Sequence, residues 1–235
     1  GITASPVNPN RLWAIVITPD DATSGLYRSE DAGDSWTRVC RDHRLQQRGW
    51  YYSHVTADPK NENAVYINNV DFMKSIDGGK TFEEINVPHG DCHGIWLNPD
   101  NPNIMINCND GGATVSLNGG KTWTDQHNQP TSEFYRVTVD EQFPYLLYAG
   151  QQDNSTISVP SRDPGGLSDT EHWHEAGGSE CADVAVSPTD PNIIWATAYS
   201  GEITRMNRAT GEVRQLTAYP HYTEGTVMRD LKYRF

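Results

Sequence analysis

Apolar and polar residues alternate in short runs along most of this chain, and turn residues break each run after four to six positions. The stretch from His54 to Ile85 shows the layout. "HVTAD" alternates and predicts a strand, "PKNEN" a turn, "AVYINN" a second strand and "DFMKSI" a third. "DGGK" predicts the tight turn that leads into "TFEEI", the fourth. Four short strands in sequential order form an antiparallel meander. No segment shows sustained helical periodicity with caps.

The meander recurs. "SEDAGDSW" (Ser29 to Trp36), "SIDGGKTF" (Ser75 to Phe82) and "SLNGGKTW" (Ser116 to Trp123) share one pattern, with starts 46 and 41 residues apart. A second pattern interleaves with it: "SPVNPNRLWA", "DPKNENAVYI", "NPDNPNIMIN" and "SPTDPNIIWA", with a weaker copy in "DEQFPYLLYA". Repeated four-stranded units of this length are propeller blades. The fold class expected is therefore all-β, with about five four-stranded β-propeller units, and both a closed five-bladed ring and a slice of a longer array fit the repeats. The expected blades span 1–50, 51–90, 91–131, 132–180 and 181–222. The first is expected to lack most of its first strand, the fourth carries an inserted loop, and 223–235 begins a further blade or closes the ring.

The first pattern has a physical reading. Ser29, Asp31, Gly33 and Trp36 recur as Ser75, Asp77, Gly79 and Phe82, then as Ser116, Asn118, Gly120 and Trp123. The Asp or Asn side chain accepts hydrogen bonds from its own turn, and the glycine takes positive φ. The aromatic residue then points between neighbouring sheets, where each such ring buries roughly 150–250 Å². Pro59, Pro99 and Pro188 follow first strands and end ladder pairing there.

Charge narrows the function. Lys and Arg number 18 against 31 Asp and Glu, a net charge of −13. A surface this acidic repels phosphate backbones, which argues against nucleic acid. No apolar run reaches the roughly 18 residues of a membrane span. The chain begins at Gly1, which fits either removal of a signal or a piece of a longer protein. Cys40, Cys92, Cys108 and Cys181 include no CxxC pair, so a zinc ribbon is not expected. Cys92 and Cys108 sit on adjacent strands, where a cross-strand disulfide and two free thiols are both open.

The motifs carry a resemblance. "S-x-D-x-G-x-T-W" resembles the Asp-box of sialidase and sortilin-type propellers. The combination of "RGWYYSHVTADP", "PHGDCHGIWLNPDNP", "NDGGATVSLNGGKTW", "NQPTSEFYRVTVDEQFPYLLYAGQQDNSTISVPSR" and "GEITRMNRATGEVRQL" resembles large secreted bacterial BNR-repeat proteins. These are described as glycosyl-hydrolase-like or sortilin/VPS10-like. The likeness runs from about Asn10 to Phe235 and implies an internal segment of a longer two-propeller chain, its blades part of a larger seven-bladed, tandem propeller assembly, which favours a slice over a closed five-bladed ring. It also implies a secreted, periplasmic or cell-surface location. Xyloglucanases with two facing propellers share the repeat type and use two aspartates across a cleft. Neither aspartate maps residue by residue onto this chain, and the arginine triad and Tyr/Glu pair of sialidases are not recognisable in it.

Several clusters are candidates for chemistry. His89, Asp91 and His93 precede the strand "GIWLN"; an extended backbone puts all three on one side, where they fit a metal, a polar ligand-facing cluster or a loop closure. Trp50, Tyr51 and His54, with Arg48 and Tyr52, form either an exposed platform for pyranose rings or a buried wedge between blades. Gln151, Gln152, Asp153 and Asn154 exceed what a hairpin needs and suit sugar hydroxyls or an inter-blade network. Asn107, Asn109 and Asp110 offer oxygens, but their spacing departs from a calcium loop and favours a simple turn. The insertion "SRDPGGLSDTEHWHEAGGSECAD" (Ser161 to Asp183) carries Asp169, Glu171, His172, His174, Glu175 and Glu180, and Glu180 and Asp183 bracket the start of the fifth unit's first strand.

Glycoside hydrolysis needs two carboxyl groups about 5–5.5 Å apart for retention or about 6.5–9.5 Å for inversion. Asp91, Asp110, Asp153 and Glu180 are the candidate acids. Two functional expectations follow. One is a hydrolase acting on a polysaccharide in an axial or inter-propeller cleft. The other is a non-catalytic propeller that binds a glycan or an extracellular protein or peptide, alongside the remaining blades of a longer parent chain. No cofactor is required by either, and a structural calcium or other divalent metal is compatible with both.

Overall fold

Alternating strands separated by tight turns pair with their sequential neighbours, because a two- to five-residue connection returns the chain antiparallel. A computed structural model describes residues 1–19, 22–129, 131–162, 172–180 and 182–216. Among them, antiparallel meanders form five sheets, and the protein is all-β, built of β-propeller blades. The chain divides into two compact units, Gly1–Pro130 and Thr131–Phe235. No helix among the described residues is long and apolar enough to cross a membrane. The expected closing segment at 223–235, with Asp169, Glu171 and Cys181, lies outside the described residues.

The first unit holds three sheets. The first runs β1 (Ile2–Ala4), β2 (Leu12–Val16), β3 (Gly25–Ser29) and β4 (Thr37–Cys40) in that order. Its first strand is present though only three residues long, with Ile2 opposite Ala14 and Ala4 opposite Leu12. The second runs β5 (His54–Ala57), β6 (Val65–Asn68), β7 (Phe72–Ser75) and β8 (Glu83–Glu84). The third is three-stranded: β9 (Cys92–Leu97), β10 (Met105–Asn109) and β11 (Gly112–Ser116). In place of its fourth strand, the Thr124 N–H donates to the Val115 carbonyl at 2.9 Å, and the Val115 N–H donates to the Thr124 hydroxyl oxygen at 3.0 Å.

The second unit holds two sheets. One is β12 (Thr138–Val139), β13 (Leu146–Gly150), β14 (Thr156–Pro160) and β15 (His174–Glu175). The other is β16 (Val184–Val186), β17 (Ile193–Thr197), β18 (Ile203–Asn207) and β19 (Glu212–Gln215).

The turn after each first strand is built on one acceptor. Ser5, Asp58, Asn98, Asp140 and Ser187 close the first strands of the five sheets. Each side-chain oxygen accepts backbone N–H groups two or more residues ahead: Ser5 from Val7 and Asn8, Asp58 from Lys60 and Asn61, Asn98 from Asp100 and Asn101. Asp140 accepts from Gln142 and Leu146, and Ser187 from Thr189 and Asp190. The proline that follows in four units stiffens a turn whose hydrogen bonds come from the residue before it.

The Ser-x-Asp-x-Gly loops use their side chains as the sequence predicts. Asp77 Oδ1 accepts the Ser75 hydroxyl at 2.7 Å and the Thr81 amide at 3.0 Å, while Oδ2 takes the Thr81 hydroxyl at 2.6 Å. Asn118 substitutes for the carboxylate, accepting from Ser116 and donating to the Thr122 hydroxyl. These loops also join blades. The Gly78 carbonyl receives the Trp13 indole N–H at 3.1 Å and the Arg28 guanidinium at 2.9 Å, both from the first sheet. Gly79 takes φ +88°, and a Cβ there would stand 2.8 Å from Leu26 Cδ2.

Burial opposes ionisation of Asp77, but the hydrogen bonds from Thr81, Ser75 and Lys80 outweigh it and hold the carboxyl below its usual range. Its stabilising bonds are therefore complete above about pH 4 and fade as acid protonates the group through its lowered native value. Asp77→Ala is expected to cost about 1–3 kcal/mol at neutral pH. Thermal melts of wild type and variant should converge as the pH falls below about 4. Asp77→Asn should retain most of the stability, as Asn118 does naturally.

The cores lie between sheets. Trp13, Ile15, Leu26, Leu45, Val55, Ile67, Met73 and Phe82 pack together between the first and second. Tyr66, Phe72, Cys92, Leu97 and Met105 pack between the second and third, with Trp123 against them. In the second unit Tyr148, Ala176, Val184, Ile194 and Ala196 form the cluster. Phe82 and Trp123 thus each face the preceding sheet. Trp36 departs from the expected burial: it is 37% exposed, and its indole N–H turns back to the Gly33 carbonyl at 3.0 Å.

Candidate functional site

Residues 42–54 build one surface of the first unit. A 3-10 turn, His43–Gln46, starts at Asp42, whose carboxylate accepts the Arg44 amide at 3.0 Å. Leu45 is fully buried and anchors it. The chain then doubles on itself, since the Arg48 carbonyl accepts the amides of both Tyr51 and Tyr52 at 2.8 Å. Asn69 Oδ1 holds the Arg48 amide at 3.0 Å. This turn buries Tyr52 to 9% exposure and leaves Trp50 at 79% and Tyr51 at 67%. The outer two rings are a platform; the inner one is wedge.

The rings form two walls. Trp50 and Tyr51 stack with centroids 5.6 Å apart and planes at 25°. Tyr52 lies near His93, at 4.2 Å and 34°, and near His54, at 6.2 Å and 24°. Tyr51 stands at 79° to Tyr52 and 80° to His93, so the two walls meet nearly at a right angle.

Two carboxylates flank the inner wall. Asp91 sits at φ +52°, outside β9, which points its carboxylate back at residues 48–52. Its Oδ1 accepts the Arg48 Nε–H at 3.0 Å and the Tyr52 hydroxyl at 2.9 Å. Burial first, and then that bond, push the Tyr52 hydroxyl far above its usual range. His93 is the extra residue of a β-bulge: Gly94 pairs with Cys108 and Cys92 with Asn109, which leaves it between them. A bulge re-aims its side chain, and His93 Nε2 lies 2.7 Å from Asp110 Oδ1.

The three residues expected to stand together do not. His89 is exposed, with Nδ1 3.1 Å from the neighbouring Gly90 carbonyl, while Asp91 faces Arg48 and His93 faces Asp110. The metal expectation assumed an extended backbone, and the positive φ at Asp91 and the bulge at His93 undo it. Among the described residues no group of three His, Cys, Asp or Glu side chains is placed to hold a metal ion. Cys92 is buried and Cys108 exposed, and both are free thiols, as is Cys40. Burial pushes the Cys92 thiol up to about 11.

The remaining candidates lie in the second unit. Gln151 is buried and structural: it accepts the Ser132 hydroxyl at 3.0 Å and donates to the Ser155 carbonyl at 3.1 Å. Asp153 sits at φ +55°, its amide donating to Glu180 Oε2 at 2.6 Å, so Glu180 closes this loop. Gln152 reaches the Asp153 carboxylate, and Asn154 the Gln152 carbonyl. Asp183 pairs with Arg136 at 3.1 Å on the surface.

A buried amide ladder was not anticipated. Asn109 donates to Asn107 at 3.0 Å, Asn107 to Asn68 at 3.4 Å, and Gln126 to Asn109 at 2.7 Å. Its signal was present in "INN" and "INCN", since asparagine is depleted in strands unless it has a partner.

No family model and no curated protein matches this chain. Among solved structures it is similar to an ancestral GH74 enzyme, at 18% identity and TM-score 0.42, over 92% of this chain and 31% of that one. The GH74 xyloglucanase from Xanthomonas campestris aligns at 16% identity and TM-score 0.41, over 95% and 38%. YCF48 from Cyanidioschyzon merolae aligns at 16% and 0.38, over 92% and 84%. The chain therefore spans about a third of the length of the GH74 enzymes it resembles.

Proposed function

We propose that this chain is the ligand-binding part of a secreted Asp-box propeller, in a longer chain of sortilin-like or glycosyl-hydrolase-like type. Its ligand is a glycan whose pyranose rings lie on Trp50 and Tyr51. The observation that carries the reading is this pair of rings, stacked on each other yet 79% and 67% exposed. An aromatic face covers the C–H face of a sugar, and adjacent polar atoms meet its hydroxyls. His93, Asp110 and Asp91 supply such atoms beside the walls. Hydrolysis fits less well, because Asp91 is occupied by Arg48 and Tyr52, and Asp110 by His93.

Titration calorimetry with xyloglucan, cello- and chito-oligosaccharides tests this. At least one glycan is expected to bind, and Trp50→Ala to weaken it about tenfold with an unchanged melting temperature. Leu117→Ala, at an exposed residue of a distant loop, should bind normally. Absence of binding to every glycan would overturn the proposal. Release of reducing ends that Asp91→Asn abolishes would establish the hydrolase instead.

A further inference from the structure

The polar atoms left open at this aromatic corner are of one kind. Asp91 uses Oδ1 for Arg48 and Tyr52, and Asp110 uses Oδ1 for His93. Among the described residues neither Oδ2 atom has a hydrogen-bond partner. Two open carboxylate oxygens thus border two perpendicular ring walls.

The charge is equally one-sided. Arg48 is paired with Asp91 at 3.0 Å, and among the described residues Asp110 meets no Lys or Arg, its partner being His93 at 2.7 Å. Arg44, on the same segment, is taken by Asp42 at 2.6 Å. The chain as a whole carries −13, so its field concentrates cations rather than anions. Ring faces attract cations through their quadrupole, and an ammonium supplies three donors to acceptors that lack them.

From this corner we infer that the glycan bound is cationic: an amino sugar carrying a free protonated amine, its ring on Trp50–Tyr51 and its ammonium on the open Oδ2 of Asp110, beside the Tyr52–His93 wall. The inference rests on the glycan reading and adds the charge to it. A neutral sugar would bring no charged donor to the two open Oδ2 atoms, and an acidic sugar would be repelled.

The test uses the full chain and three tetrasaccharide probes: fully deacetylated glucosamine tetramer, its N-acetylated counterpart and cellotetraose. At low salt the deacetylated probe is expected to bind about tenfold more tightly than the other two. That preference should vanish in 1 M NaCl, where the Debye length falls to about 3 Å, and in Asp110→Asn. If Asp110→Asn lowers the melting temperature, the salt series on the unaltered chain decides alone. Equal affinity for all three probes sinks the charge inference and leaves the glycan reading standing. Failure of all three, together with the glycans above, sinks both. Tighter binding of a trimethyllysine peptide than of any sugar would overturn the amino sugar and make the corner a site for protein cations.

Discussion

Trp13→Ala is expected to cost about 3–5 kcal/mol, enough to unfold much of the Gly1–Pro130 unit near room temperature. Trp13 is fully buried among Ile15, Leu26, Leu45, Val55 and Phe82, side chains drawn from two adjacent sheets and the 3-10 turn. Alanine would leave a cavity that strands held by ladder hydrogen bonds cannot collapse to fill. The indole N–H is lost as well, although Gly78 keeps the Arg28 bond. Trp13→Phe separates these effects, since it keeps most of the volume and removes the donor. It is expected to cost about 1–2 kcal/mol. Denaturant unfolding followed by hydrogen exchange reads both, and protection should fall first in β2, β5 and β6. A loss below about 1 kcal/mol for Trp13→Ala would mean that the first two sheets are not joined through this residue.

Asp58→Ala is expected to cost about 3 kcal/mol for a different reason. Asp58 is 4% exposed. It accepts the Lys60 and Asn61 amides at 2.8 and 3.0 Å, and its other oxygen accepts the Tyr66 hydroxyl at 3.1 Å. Alanine opens the turn and strands a hydroxyl on a side chain that is 1% exposed. Tyr148 uses Asp140 in the same way, at 2.9 Å. Eight residues separate acceptor from ring in both, and the residues at this spacing in the other sheets are Ser5 with Trp13, Asn98 with Ile106 and Ser187 with Trp195. Where the acceptor is Asp, the later residue is Tyr; where it is Ser, the later residue is Trp. The double variant Asp58→Ser/Tyr66→Phe keeps a turn acceptor and removes the orphaned hydroxyl. It should recover at least half of the loss, because deleting both partners avoids a buried unmet donor. Additive losses in the double-mutant cycle would mean that the Asp58–Tyr66 bond contributes nothing of its own.

Much of the fold was legible because its signals are local. The strands expected at "HVTAD", "AVYINN", "DFMKSI" and "TFEEI" appear as His54–Ala57, Val65–Asn68, Phe72–Ser75 and Glu83–Glu84. Alternation, turn residues and hydroxyl-to-carboxylate bonds within five residues need no distant partner. The site was legible only in part. Trp50 and Tyr51 stood out by residue type, but the same letters describe Tyr52, which is buried. The His-Asp-His spacing pointed to a shared face that a positive φ and a bulge remove.

By itself, then, the sequence determined the all-β class, the repeated meander, the loops that join its strands and the acidic balance that disfavours nucleic acid. Periodicity and short-range hydrogen bonding act within a few residues, so they are written where they operate. Tertiary structure alone decided which of three consecutive aromatics faces solvent, and that Asp91 binds Arg48 43 residues away while His93 binds Asp110 17 residues away. Those pairings depend on how neighbouring sheets stack and where one strand bulges, and no local pattern encodes the distance between side chains brought together by packing.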